Sequence, residues 1–125
     1  ELLIDASQMT QVFLNVGRNA LQALMEHKII GGHISLKTRA VRRFTIGNTC
    51  HRLVCCISIS DNGPGIAADL KEGIFFPLVT HRAQGTGLGL SIAQSLIQQH
   101  QGLIECDSQK GLTCFNIYLP MENLP

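Results

Sequence analysis

The sequence predicts an α+β fold, a two-layer sandwich with a mostly antiparallel sheet. Two stretches repeat apolar residues at steps of three and four positions, which indicates amphipathic helices. Four shorter stretches have the composition and alternation of strands. The strands come in consecutive pairs rather than alternating with helices, and this order favours hairpins over parallel βαβ units.

The composition is that of one folded domain. The chain has 125 residues, of which 45% are hydrophobic and 15% charged, and this argues against disorder, a coiled coil or a collagen-like fibre. The formal net charge is +1, so overall charge predicts neither nucleic-acid nor membrane binding. No apolar run approaches the ~20 residues that a membrane span needs. Because the sequence begins at Glu1 without Met, we expect residues 1–125 to be one domain of a longer protein.

Five cysteines are present, an odd number without a CxxC spacing. Most lie within apolar alternating runs, which predicts buried free thiols rather than a disulfide framework or a zinc site. Free thiols are typical of a reducing compartment, so the sequence predicts a cytoplasmic protein.

One helix is predicted near the N-terminus, over residues 7–25. The short apolar run at residues 2–4 predicts an edge strand, and Asp5 and Ser7 are both good N-cap residues for the helix that follows. Gly17 lies inside the helix, where glycine costs about 1 kcal/mol relative to alanine. Its presence indicates either close packing or local softness.

The remaining elements are two hairpins and a second helix. The predicted strands cover residues 34–39, 52–61, 103–107 and 113–119, and the second helix covers residues 90–100. Turn signals at Gly47-Asn48 and Lys110-Gly111 join the strands in pairs. Residues 74–91 predict a long loop.

Polar residues lie beside the apolar stripe of the first helix. Asn15, Asn19 and Gln22 are spaced by four and three positions, so they share one helical face. Because Asn is unfavourable inside a helix, two interpretations remain. The face is either solvated, or it offers amide oxygens to a hard cation such as Mg²⁺ beside phosphate oxygens. Arg18, between the two Asn, is either a surface charge or a phosphate ligand.

A loop with the sequence Asp61-Asn62-Gly63-Pro64-Gly65-Ile66 follows the second predicted strand. Asp61 continues the alternation of that strand, so its carboxylate is predicted to face the core and to need polar partners. The loop (residues 61–66, the Asp61 loop) is either an ordinary turn or a base-binding site. In the second case Asp61 accepts a hydrogen bond from an adenine amino group, and the glycines let the base approach the backbone.

A glycine-rich loop with the sequence Gly85-Thr86-Gly87-Leu88-Gly89-Leu90-Ser91 opens the second helix. Its glycines leave backbone N–H groups able to face an anion, and the helix N-terminus adds about half a positive charge. The spacing matches neither a dinucleotide-binding fingerprint nor a Walker A loop. The segment is therefore either a flexible connection or a phosphate-binding loop, preceded by a mobile lid that carries Arg82.

The order and spacing of these motifs resemble the catalytic ATP-binding domain of bacterial sensor histidine kinases. The matching motifs also include Phe75-Phe76-Pro77 and the segment 111–115, and they cover nearly the whole chain. The resemblance implies the Bergerat fold of the gyrase-, chaperone- and mismatch-repair-type ATPases, in which helices cover one face of a mixed, mostly antiparallel sheet. The first helix and the basic hairpin are similar to the nitrogen-regulation group of these kinases.

The resemblance implies ATP and Mg²⁺ as cofactors and assigns roles by position. Asn19 would bind Mg²⁺, and Asn15 and Arg82 would be catalytic, holding the metal and the phosphates. Asp61 would accept the adenine hydrogen bond, with support from Thr113. The other implied nucleotide-binding residues belong to the same motifs: Arg18, Gly63, Gly65, Ile66, Phe76, Thr80, Gly85, Thr86, Gly87, Leu88, Gly89 and Leu90.

Three features depart from the family pattern, and the mid-helix Gly17 is one of them. Gln22 stands where a basic residue is common, so the phosphate charge would rest more on Arg18 and Arg82. The lid has the sequence Val79-Thr80-His81-Arg82 in place of a Thr-Thr-Lys run. Hydrolytic relatives place a Glu where Asn15 stands, as the base that activates water. We therefore expect only weak ATP hydrolysis.

The implied reaction is transfer of the γ-phosphate to a histidine on a separate dimerisation domain. None of the five histidines here precedes an acidic residue, as the family's phosphoacceptor does, so we expect that histidine elsewhere and the isolated domain to be a monomer. The implied partners are a response regulator of the NtrC type and the PII signal protein. The basic hairpin residues 39–52 form either a solvated face or a docking surface. Two alternatives stay open: a serine kinase of the anti-sigma type, and a non-catalytic interaction module with a vestigial nucleotide site.

Overall fold

The computed structural model describes residues 3–76 and 89–121. In chain order the elements are α1 (Ala6–Glu26), β1 (Ile34–Ile46), β2 (Thr49–Asp61), α2 (Ala68–Lys71), α3 (Gly89–Gln99), β3 (Leu103–Gln109) and β4 (Leu112–Pro120). The four strands form one sheet in the order β1-β2-β4-β3, and every neighbouring pair is antiparallel. The predicted α+β class is confirmed, and the described sheet is antiparallel throughout rather than mixed.

Helix α1 forms where its periodicity predicts. The Asp5 carboxylate caps it by accepting a hydrogen bond from the Gln8 N–H at 2.9 Å. The predicted edge strand at residues 2–4 is wrong in its described part, because Leu3 and Ile4 lie outside any strand. Both edges of the sheet belong to other strands, and the cap at Asp5 starts the helix directly after this run.

The main core lies between the two long helices and one face of the sheet. The fully buried residues of this layer are Val12, Val16, Ala93, Ile97, Phe115, Ile117 and Leu119. Phe75 closes the layer on the side of the long loop, with its ring edge-on to Phe115 at a centroid distance of 6.2 Å. This packing fixes α1 and α3 side by side above the strands that end at Asp61 and Thr113.

The β1–β2 hairpin extends beyond the rest of the sheet. Strand β4 accompanies β2 only as far as the pairing of Val54 with Pro120. Residues 42–53 therefore form a two-stranded arm, with the predicted turn at Gly47-Asn48 at its tip. Both strands are longer than predicted, because the polar and basic stretch between them continues the ladder.

A second, smaller apolar cluster lies on the face of the sheet without helices. It buries Val54, Cys56 and Tyr118, and the Phe44 ring stacks on Tyr118 at a centroid distance of 4.2 Å. Arg43 has a φ of +53°, and this left-handed conformation interrupts the side-chain alternation just before Phe44. The Phe44 side chain of the arm is thereby turned toward the sheet face that carries Tyr118.

Three smaller findings correct or extend the predictions. Helix α2 has four residues, too few for a periodic pattern to predict. The prediction of close packing at Gly17 is wrong, because a Cβ at that position would have no atom within 4 Å. All five cysteines are free, but the predicted burial is complete only for Cys56: Cys55, Cys106 and Cys114 are half-buried, and Cys50, on the arm, is exposed. Burial raises the pKa of Cys106 to about 11.

Candidate functional site

A buried carboxylate ends the longest central strand. Asp61 is only 3% exposed, as its place in the β2 alternation predicts, and its Oδ1 accepts a hydrogen bond from the Gly63 N–H at 2.9 Å. Its register partner on β4 is Thr113, which is 6% exposed. An ionised carboxylate only accepts hydrogen bonds, so this position suits a ligand group that donates them.

The Asp61 loop is held at both ends. At the first end, the Asn62 side chain accepts a hydrogen bond from the His33 N–H at 2.7 Å and donates one to the Gly31 carbonyl at 3.0 Å. At the other end, the Ile66 N–H donates to the Ser108 hydroxyl at 2.6 Å. The loop is thus clamped between the α1–β1 connection and the β3–β4 hairpin.

Two glycines of this loop lie where no side chain fits. A Cβ on Gly63 would lie 2.8 Å from the Asp61 carboxylate and 3.8 Å from the Cβ of Ala23. Gly65 has a φ of +84°, and a Cβ there would lie 2.3 Å from the Gln109 carbonyl oxygen. Gly63 is buried and Gly65 half-buried, so the loop packs tightly beside the carboxylate and has no side chain at either position to obstruct a flat ring.

Helix α1 connects this loop to the start of α3. Gly63 lies beside α1, since a Cβ on it would be 3.8 Å from the Cβ of Ala23, and the Asn15 side-chain nitrogen donates a hydrogen bond to the Gly89 carbonyl at 3.1 Å. Asn19, half-buried, lies midway on the same helical face. The eight residues from Asn15 to Ala23 span about 12 Å along the helix axis.

At the other end of this face of α1 lies the N-terminus of helix α3. The first four N–H groups of α3 have no partner within the helix, and the helix dipole favours negative charge there. Asn15 offers its amide oxygen at the same place, because its amide nitrogen is engaged by Gly89. The arrangement suits a ligand with a hydrogen-bond donor at one end and anionic groups at the other.

Other predicted site residues are less closely associated with the face of α1 that joins the Asp61 loop to α3. Arg18 is exposed on α1, and Phe76 is 63% exposed, lining a groove beside α3 with Ser91 and Ile92. Ile66 and Leu90 pack partly against the main core. Six predicted residues lie outside the described part of the chain: Thr80, Arg82, Gly85, Thr86, Gly87 and Leu88.

Sequence patterns did not indicate a role for Ser108 or the clamping role of Asn62. Both act through backbone groups of distant residues, so neither forms a motif that a single sequence can reveal. Within residues 3–76 and 89–121, no three His, Cys, Asp or Glu side chains are grouped as metal ligands. No described helix is long and apolar enough to cross a membrane.

Comparison with known proteins defines the class. The family described as histidine kinase-, DNA gyrase B- and HSP90-like ATPase matches residues 4–123, and the chain belongs to this family. The described fold, with helices on one face of an antiparallel sheet, confirms the expected Bergerat architecture.

Within the family the similarity is to histidine kinases. The sensory histidine kinase/phosphatase NtrB of Klebsiella oxytoca is 50% identical over 121 residues, which cover 97% of this chain and 34% of that protein. The sensor histidine kinase ZraS of Escherichia coli (strain K12) is 37% identical, over 97% of this chain and 23% of that protein. The solved catalytic domain of the histidine kinase ThkA superposes with a TM-score of 0.74 at 29% identity, covering 95% of this chain and 70% of that one.

These findings confirm the class predicted from the motifs, an ATP-binding catalytic domain of the histidine kinase type. The chain spans about a third of the length of the NtrB relative.

Proposed function

We propose that this domain binds Mg-ATP along α1 and presents the γ-phosphate to a histidine supplied by another domain. The observation that carries the proposal is the arrangement of the Asp61 loop and the start of α3 at two ends of one face of α1. A buried carboxylate and two glycines lie at one end, and the N-terminus of α3 lies at the other, with the Asn15-to-Ala23 stretch of α1, about 12 Å along its axis, between them. ATP has the matching arrangement, because its adenine carries a hydrogen-bond donor at one end and its triphosphate is anionic at the other.

Asp61 and Gly65 form the proposed adenine end. The 6-amino group of adenine donates hydrogen bonds and matches the acceptor-only Asp61 carboxylate. Guanine carries a carbonyl oxygen at that position and would be repelled. Gly65, half-buried and without a side chain, would let the flat face of the base approach its backbone, and Thr113 would support Asp61 from the adjacent strand.

The residues at the other end fit a hard cation and phosphates. Asn15 and Asn19 are half-buried on one face of α1, and Mg²⁺ prefers oxygen ligands such as their amide oxygens. When bound, Mg²⁺ would neutralise phosphate charge. The remaining phosphate contacts are assigned to the N-terminus of α3, to Arg18 and Arg82, and to the glycines that precede α3.

Transfer to histidine rather than to water follows from the side chain at position 15. An amide cannot accept a proton from water, so Asn15 cannot serve as a general base. The nearest carboxylate toward the C-terminus of α1 is Glu26, about 16 Å further along the helix axis. Phosphoryl transfer needs mainly positioning and charge neutralisation, and this chain supplies those without supplying the nucleophile.

The proposed context is nitrogen regulation, because the NtrB relatives are 46–50% identical to nearly the whole chain. The downstream partner would then be a response regulator of the NtrC type and the upstream one the PII signal protein. We assign the isolated domain as a monomer, without nucleic acid or membrane as partner. The use of ATP and the five free thiols favour the cytoplasm.

The β1–β2 hairpin supports a docking surface for an acidic protein face. Residues 34–60 of the hairpin contain no Asp or Glu and carry five cations, Lys37, Arg39, Arg42, Arg43 and Arg52. Its one aromatic ring, Phe44, is occupied by Tyr118 and is not exposed for base stacking. We expect Arg42→Glu with Arg52→Glu to weaken PII binding to this chain in a surface-plasmon measurement. The matched reversal Lys110→Glu should leave it unchanged, and equal loss in both variants would exclude the hairpin.

Calorimetric titration with ATP, with and without Mg²⁺, tests the nucleotide site. Hydrogen bonds to charged groups contribute about 1.5–3 kcal/mol, so Asp61→Asn should weaken ATP binding about 10- to 100-fold. Asp69→Asn, an equivalent change on the exposed helix α2, is the control and should bind as the wild type does. A wild-type chain that binds no ATP would overturn the proposal and favour the interaction module.

Phosphotransfer needs a second assay. The chain is incubated with labelled Mg-ATP, alone and with a histidine-bearing dimerisation domain of NtrB. Label on that domain's histidine, and little phosphate release without it, is the expected result. Label on a serine of an added antagonist protein would favour the anti-sigma kinase alternative, and rapid phosphate release by the chain alone would refute the role given to Asn15.

A further inference from the structure

Ser108 lies where the Asp61 loop meets the β3–β4 hairpin. Its hydroxyl oxygen accepts a hydrogen bond from the Ile66 N–H at 2.6 Å. The same hydroxyl donates to the Leu112 carbonyl at 3.3 Å and lies 3.5 Å from the Thr113 hydroxyl. A serine hydroxyl has one proton and two acceptor sites, so this one group can satisfy the loop and the hairpin together.

A second, longer hydrogen bond also joins this end of the loop to the hairpin. It runs from the Gly111 N–H to the Pro64 carbonyl at 3.5 Å, close to the limit of a hydrogen bond. Gly65, between these two contacts, approaches the Gln109 carbonyl so closely that no Cβ fits. The short bond from Ile66 to Ser108 is therefore the stronger of these two contacts with residues 64–66.

The same hydroxyl also reaches the residue beside the carboxylate. Thr113 is the register partner of Asp61 across β2 and β4. Ser108 thus contacts both parts of the proposed adenine end: the backbone that would lie against the base, and the strand that flanks the carboxylate.

We propose that Ser108 is a positioning residue for adenine recognition. It holds the Gly65 backbone and the Asp61 carboxylate at one fixed separation, so that a base which contacts the first also meets the second. This proposal rests on the proposed function and adds to it a determinant of base specificity. Removing the hydroxyl frees residues 64–66 while leaving Asn15, Asn19 and the start of α3 unchanged.

The test compares Ser108→Ala with Ser58→Ala. Ser58 donates an equally short hydrogen bond, 2.6 Å to the Asn116 side chain, on the sheet face without helices. Calorimetry with Mg²⁺ measures the Kd for ATP, GTP and inorganic triphosphate. Loss of one such bond predicts about five- to tenfold weaker ATP binding in Ser108→Ala, with triphosphate binding unchanged and a smaller preference for ATP over GTP. Ser58→Ala should match the wild type in all three.

Two further measurements separate positioning from general stability. Ser108→Thr retains the hydroxyl and should restore most of the ATP affinity. Hydrogen exchange at the Ile66 amide should accelerate in Ser108→Ala and not in Ser58→Ala. Equal weakening of ATP and triphosphate binding, or unchanged ATP binding in Ser108→Ala, overturns the proposal. Failure of the proposed function is distinct, because it shows in the wild type as an absence of ATP binding and overturns this proposal with it.

Discussion

Gly65 and Gly111 allow the close approach in the Asp61 loop to be tested against a matched position. Both have a φ of +84°. A Cβ on Gly65 would meet the Gln109 carbonyl oxygen at 2.3 Å, whereas one on Gly111 would meet nothing within 4 Å. Replacing each with alanine therefore imposes the same backbone strain at both sites and a steric clash at only one.

The expected magnitudes follow from these two contributions. An L-residue in the left-handed region costs about 1–2 kcal/mol, which both variants should lose from the free energy of unfolding. Ordinary carbon–oxygen contacts begin near 3.3 Å, so alanine at position 65 must move the loop by about 1 Å. That movement breaks the bond from the Ile66 N–H to Ser108, at a further cost of about 1 kcal/mol. Gly65→Ala should then lose about 2–3 kcal/mol in all.

Denaturant unfolding and ATP calorimetry provide the measurements. Gly111→Ala should lower the midpoint modestly and keep the wild-type Kd for ATP. Gly65→Ala should lower it further and weaken ATP binding at least about tenfold, because the base loop is displaced. Equal stability loss in the two variants, together with unchanged ATP binding in Gly65→Ala, would refute the reasoning that the loop is closely packed against the hairpin.

Three further predictions concern stability and thiol chemistry. Gly17→Ala, in open space inside α1, should raise the free energy of unfolding by about 1 kcal/mol in thermal or urea unfolding; a loss would indicate a packing role after all. Asp5→Ala removes the N-cap of α1 and should cost about 1 kcal/mol in the same assay, with Asp5→Asn nearly neutral. With its pKa raised to about 11 by burial, Cys106 is about 0.1% thiolate at pH 8 and should become reactive only as pH rises through that value. Iodoacetamide followed by mass spectrometry should therefore label exposed Cys50 first, and early labelling of Cys106 would contradict this.

Periodic patterns predicted those parts of the fold whose burial is periodic. Helix α1 presents one face to the main core, and the end of β2 alternates toward the same core at Ile57, Ile59 and Asp61, so their apolar residues recur at regular steps. The arm at residues 42–53 lies outside that core, and the left-handed Arg43 turns Phe44 to the other face of the sheet. A single sequence does not contain the φ value that causes this reversal.

Sequence patterns likewise predicted some residues of the candidate site and not others. Asp61 could be predicted because it extends the alternation of β2, and its glycines because they stand in an unusual run. Ser108 could not, since its partner Ile66 lies 42 residues away and its binding atom is a hydroxyl common to many exposed serines. Local pattern identifies the residues that would touch a ligand, and tertiary contacts determine which residues hold them in place.

Asn15 links the architecture to the choice between kinase and hydrolase chemistry. Its side-chain nitrogen donates to the Gly89 carbonyl and so joins α1 to the start of α3. A carboxylate at this position would place an oxygen against that carbonyl, because it has no hydrogen to donate when ionised. The residue that could activate water would therefore also repel the N-terminal end of α3. In this chain the amide at position 15 cannot act as a general base and also joins the two helices, so a carboxylate there should disturb the proposed phosphate end of the site while adding the base.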